Sequence, residues 1–219
     1  MTPRLPVVGL LAGLAALFAS AASLPAAELV LTLADAKGKP VANAVVSLIP
    51  LDQAAPPATE PAPEITIAQR DSEFVPLVVA VRAGTSVRFP NEDKIQHHVY
   101  SLSAAKRFDL PLHGGDTAPA VPLDQPGVVS VGCNIHDWMR SYVVVLDTPW
   151  FARSDADGVV RLAAPAGRYR REIWHYRLAQ PLAEEIALAG ETPLAASATL
   201  ALRRDRHPVR PHATDPSYP

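Results

Sequence analysis

After about residue 27, no long segment of this sequence repeats its apolar residues every 3.6 positions, which rules out a helical core. Short β-rich runs recur instead, each closed by Gly, Pro, Asn or Asp. Runs 29–34 and 44–49 flank the turn Asp35-Ala36-Lys37-Gly38-Lys39-Pro40. Further runs are expected at 65–68, 77–81, 86–89, 96–102, 118–121, 128–132 and 142–146. A last group follows Thr148-Pro149: 151–154, 159–162 and 169–174, with 185–188 and 198–202 as two further candidates. Regular short strands with such turns predict an all-β chain built as sandwiches or Greek-key barrels.

The two ends and one internal stretch read differently. Arg4 is the only charge before Glu28, residues 5–18 are nearly all apolar, and small residues follow at 19–22 and 25–27. That order is the export pattern, so 1–27 is expected to be a signal peptide cleaved somewhere from Ala21 to Ala27. An uncleaved membrane anchor competes, because the run stretched to Ala27 approaches a spanning length. Ser20, Ser23 and Pro25 weaken its last third. Residues 51–63 hold Pro56, Pro57, Pro61 and Pro63, and within 52–63 no large apolar residue, the composition of a linker. Residues 203–219 mix Arg, His, Pro and Asp without a period and are expected to be disordered.

With 20 basic and 22 acidic side chains the chain offers no basic stripe, so nucleic acid is not an expected partner. The sequence contains no Cys-x-x-Cys-His, phosphate loop, nucleotide fingerprint or Ser-His-Asp order. The single cysteine, Cys133, carries more information. An exported chain with one thiol must bury it, pair it with another chain or bind it to a metal.

Its neighbours favour the metal. Cys133-Asn134-Ile135-His136-Asp137-Trp138-Met139 lies between two β runs, and His97-His98-Val99-Tyr100 precedes it on another. A blue-copper centre needs two imidazoles and a thiolate in a near-trigonal plane, with a weak axial thioether. Cys-x-x-His-x-x-Met brings three of those donors on one tight loop, and His97 can supply the fourth from a neighbouring strand. Zinc is the rival metal, but a structural zinc site wants four strong ligands, and only Asp137 or His98 could add the fourth. A two-copper centre would need a second cysteine. Adjacent side chains on a strand face opposite ways, which puts His98 in a supporting or surface role. His113, beside Gly114-Gly115, reads as a loop residue, and His175 as sandwich surface. His207 and His212 lie in the tail as weak metal scavengers.

These residues resemble the cupredoxins, of the amicyanin- and plastocyanin-like type 1 copper branch. That family carries a histidine on one strand and Cys-x-x-His-x-x-Met on the last loop before a Val-rich strand, here Tyr142-Val143-Val144-Val145-Leu146. The resemblance covers about residues 64–147, including the strand, Gly turn and strand of 74–87. It implies one type 1 copper held by His97, Cys133, His136 and Met139, with His98, Asn134 and Trp138 supporting them. The family usually has Asn where this chain has His98. The phrases around His97 and Cys133 also resemble the exported proteins often labelled as methylamine-utilisation proteins. Separately, 35–46 and 154–169 resemble two parts of the carboxypeptidase regulatory-like, transthyretin-like sandwiches.

The resemblances imply a Greek-key cupredoxin sandwich inserted in, or flanked by, a second small Ig- or transthyretin-like sandwich. The expected divisions are 28–50 and 148–202 for the split sandwich, 51–63 for the linker and 64–147 for the copper domain. The implied function is a bacterial periplasmic one-electron carrier and not an enzyme. Its partner would be a redox protein such as a dehydrogenase or a c-type cytochrome, with no stable membrane insertion once the signal is removed. A copper-delivery protein without a redox role and a small-molecule copper enzyme are the alternatives, and an adhesion or scaffold protein is a third.

Overall fold

The computed structural model describes residues 26–57, 63–115, 117–190 and 192–209. Most of the expected signal (1–25), the centre of the linker (58–62) and the end of the tail (210–219) lie outside them. The chain enters through β1 (Ala26–Asp35) and β2 (Val45–Pro50). It continues through β3 (Glu64–Thr66), β4 (Ala68–Arg70), β5 (Glu73–Val75), β6 (Val78–Arg82) and β7 (Thr85–Arg88). Then come β8 (His97–Leu102), β9 (Arg107–His113), β10 (Val121–Leu123), β11 (Gly127–Cys133) and β12 (Arg140–Leu146). It closes with β13 (Phe151–Arg153), β14 (Val159–Pro165), β15 (Gly167–Trp174), β16 (Leu182–Leu188) and β17 (Leu194–Leu200). Among the described residues the fold is all-β, as expected. The run expected at 118–121 begins only at Val121, and β9 has no counterpart in the sequence reading, because its exposed Pro111 and Leu112 break the alternation.

Strand pairing divides these elements into two groups. β14-β1-β17 faces β13-β2-β15-β16 across a core that includes Leu29, Leu31, Leu33, Leu48, Leu162 and Tyr169. Period-two alternation builds that core: Ala27, Leu29, Leu31 and Leu33 turn inward while the residues between them are more exposed. Two buried hydroxyls join the early and late segments of this group. Ser154 accepts from Ala44 N–H and donates to Val41 C=O, and Thr148 donates to Leu48 C=O.

The other group sets β10-β7-β3 against β6-β12-β11-β8-β9, with the β4-β5 hairpin alongside. Its core contains Phe89, Val99, Leu123, Val131, Val143 and Val145. The five-stranded sheet is apolar on part of its outer face as well. There Val78 and Val144 pack on Val45, joined by Leu77, Tyr142, Trp174 and Tyr176. The β-sandwich that holds Cys133 is therefore wedged against the first group by a junction of aliphatic and aromatic side chains.

Candidate metal centre

Alternation along two strands aims the donors inward. On β11, Val129, Val131 and Cys133 share the buried face, and on β8, His97, Val99 and Ser101 do the same. The two strands pair antiparallel with Cys133 opposite Val99, so the thiol at the end of β11 meets the imidazole at the start of β8. His136 comes from the following loop, which is drawn tight by Met139 N–H donating to His136 C=O at 3.1 Å. Ile135 N–H points at Cys133 Sγ, 3.4 Å away.

The result is a compact buried cluster. His97 Nδ1 lies 3.9 Å from Cys133 Sγ, His136 Nδ1 lies 4.0 Å from it, and one donor atom from each residue falls within 4.8 Å of the others. With metal–nitrogen and metal–sulfur bonds of about 2.0 and 2.3 Å, donors 120° apart lie about 3.7 Å from each other, and tetrahedral donors about 3.5 Å. Both observed separations are longer than either value by a few tenths of an ångström, so a small closure of the cluster would bring the three donors onto one ion. Met139 is buried on the same loop and borders a groove shared with Cys133.

Asp93 orients the first histidine. Its carboxylate lies 2.9 Å from His97 Nε2 and also accepts the backbone N–H groups of Asp71 and Ser72. An ionised carboxylate only accepts, so Nε2 keeps its proton, and Nδ1, which faces the sulfur, is the nitrogen that can give up a proton to offer a metal its lone pair. Burial raises the Asp93 carboxyl, but the Ser72 N–H, His97 and the Asp71 N–H outweigh it and hold the group below its ordinary value. In the metal-free site burial depresses His97, yet Cys133 and Asp93 together lift its pKa above the usual value. Burial likewise opposes ionisation of Cys133, while His97 and the N–H groups of Ile135, His98 and His136 bring the thiol below its ordinary value. Hydrogen bonding thus favours the thiolate, the form a metal binds.

The supporting residues separate in space. Trp138 lies against the His136 ring, with centroids 4.9 Å apart, and its indole N–H donates to Ser72 C=O. Asn134 N–H donates to His98 C=O, which ties the loop to β8 through backbone. The His98 side chain turns away from the cluster and bonds Asp109. Asp137 is exposed, and neither it nor His98 belongs to the donor cluster, so the described cluster does not hold the fourth strong ligand of a structural zinc site. Only 3% of His136 is exposed, whereas Ile135 beside it is 50% exposed, so the loop offers an aliphatic side chain more than an imidazole edge.

Two histidines depart from their sequence reading. His113 is a buried residue at the end of β9, not a loop residue, and pairs opposite His97. Its Nδ1 faces Pro111 C=O, and its Nε2 faces the Gln69 amide and Phe89 C=O. His175 is buried rather than on the sandwich surface, stacked on Tyr176 at 4.3 Å. Sequence reasoning missed Asp93, although its place four residues before His97, in a Pro-Asn-Glu-Asp turn, was a readable signal.

Fold and site together define an all-β protein with a buried His–Cys–His cluster. No family model matches the chain, and no curated protein matches it. Solved structures do. A copper-containing nitrite reductase from Thermus scotoductus SA-01 is 26% identical over 44% of this chain and 25% of that one, with a TM-score of 0.37. The match therefore spans a quarter of the reductase. A purple cupredoxin from Nitrosopumilus maritimus is 22% identical over 38% of this chain and 99% of its own, with a TM-score of 0.33. Amicyanin from Paracoccus versutus is 20% identical over 41% and 85%, with a TM-score of 0.34.

Proposed function

We propose that this chain is an exported type 1 copper protein that carries single electrons in the bacterial periplasm. Residues 64–147 would form the copper domain, set into a second sandwich made from 28–50 and 148–202. One observation carries the reading: two buried imidazole Nδ1 atoms stand 3.9 and 4.0 Å from the only thiol, with Met139 buried on the same loop. Bound copper would supply a one-electron couple. His97, Cys133 and His136 would hold the ion, with Met139 as a weaker fourth donor. Asp93 would keep His97 in the binding tautomer, and burial would exclude water. A protein partner, such as a dehydrogenase or a c-type cytochrome, would dock near Ile135. The likeness to methylamine-utilisation proteins makes amine oxidation the first pathway to test.

The decisive measurement is the visible spectrum after addition of Cu(II) to the purified mature chain. Intense charge-transfer absorption toward the red end of the spectrum is expected, bleached reversibly by a one-electron reductant. Cys133→Ser should abolish it with the far-ultraviolet β signal intact. Copper uptake without that absorption would favour copper delivery over electron transfer, and an unchanged spectrum in the variant would remove the type 1 assignment.

A further inference from the structure

The ligand loop ends at Met139, and the next residue, Arg140, opens β12. Arg140 is gripped from outside the copper-binding sandwich. Its two terminal nitrogens meet the two oxygens of Asp205 at 3.1 and 2.6 Å, a bidentate pair. Its guanidinium also lies over the Tyr176 ring, 5.0 Å from the centroid, and that ring stacks on Tyr142.

Asp205 belongs to the stretch expected to be disordered. Over 203–209 the chain has no strand, yet it is tied to the rest of the molecule at Arg203 and at Asp205. Arg203 N–H donates to Arg177 C=O at 2.9 Å, and Arg177 Nε donates back to Arg203 C=O at 2.7 Å. Further on, His207 N–H donates to Asp205, and the His207 ring lies against the Trp138 backbone. His207 therefore borders both the groove of about 440 Å³ that includes Cys133 and Met139 and a second hollow beside Trp138, which Phe74, Leu77, Pro208 and Val209 also line. His207 Nε2 is buried there without a hydrogen-bond partner.

We propose that residues 203–209 are a strap that holds the Met139–Arg140 end of the ligand loop against the second sandwich and so slows metal release. Asp205 and Arg140 are positioning residues: they touch no donor atom and act through the backbone that carries Met139. The effect on metal rests on the copper reading above, whereas the effect on the loop does not.

Two measurements keep these apart. In metal-free protein, Asp205→Asn and a chain ending at Leu202 should raise hydrogen–deuterium exchange at 134–140. An increase of about three- to tenfold is expected for the first, the scale of one partly exposed bidentate pair. Exchange within β11 should stay as it is, and Asp205→Glu should restore most of the protection. In copper-loaded protein, the same two variants should release Cu(II) to a chelator faster by a similar factor. Unchanged exchange at 134–140 in both variants overturns the strap whether or not copper binds. Faster exchange with unchanged release overturns its effect on the metal. A wild-type chain that takes up no copper overturns the functional reading, and the exchange result then stands as the test of the strap alone.

Discussion

At the scale of single residues, the site depends on a carboxylate that donates nothing to the metal. Asp93 accepts from Asp71 N–H, Ser72 N–H and His97, so it pins a turn and selects a tautomer together. Asp93→Asn removes the charge and replaces one acceptor oxygen with a donor, leaving at least one of those N–H groups facing another N–H. Loss of such an orienting partner typically weakens metal binding about 10- to 100-fold. Competition titration with a copper chelator should show a loss in that range. Affinity equal to wild type would mean that packing alone orients His97. In this region the sequence was legible where chain spacing sets geometry: Cys133, His136 and Met139 share one loop. It was not legible where the partners come from different strands, as with Gln69, Phe89 and His113, because nothing in local pattern says which strands will adjoin.

At the scale of elements, the turns are as specific as the strands. Asp155 Oδ1 accepts from Asp157 N–H and Val159 N–H, which shapes the turn before β14. Gly158 then adopts a φ of 74°, and its C=O accepts Leu33 N–H. A Cβ at Gly158 would lie 2.3 Å from Leu33 C=O, so here the absence of a side chain is required by backbone contact as well as by φ. Gly158→Ala should cost at least about 2 kcal/mol in chemical denaturation. A loss below about 1 kcal/mol would show that the turn shifts and that β1 does not depend on its present approach.

The molecule as a whole is coupled through its junction. Val78 and Val144 from one sandwich meet Val45, Trp174 and Tyr176 from the other, and His175 sits between those two aromatics in the chain. Burial, with Arg177 nearby, lowers the His175 pKa to about 4. The unfolded chain takes up this proton near pH 6.5, so the folded state is fully favoured above that value and loses ground as pH falls toward 4. The loss should approach about 3 kcal/mol by pH 4. Denaturation measured across pH 4–7 should show a shallower acid slope for His175→Gln than for wild type. Parallel slopes would assign the acid sensitivity to other groups.

Alternation and turn chemistry by themselves determined that the chain is all-β, that His97 and His98 face opposite ways on β8, and that Cys133, His136 and Met139 share a loop. These properties are local: a period of two and a three-residue spacing act over distances the backbone fixes directly. The tertiary structure alone decided that His97 stands 3.9 Å from a sulfur 36 residues away, that His113 and His175 are buried, and that Asp205 reaches Arg140 from 65 residues further on. Each of those contacts is set by which sheets pack together and in what register, and that depends on the summed burial of two cores rather than on any one stretch of sequence.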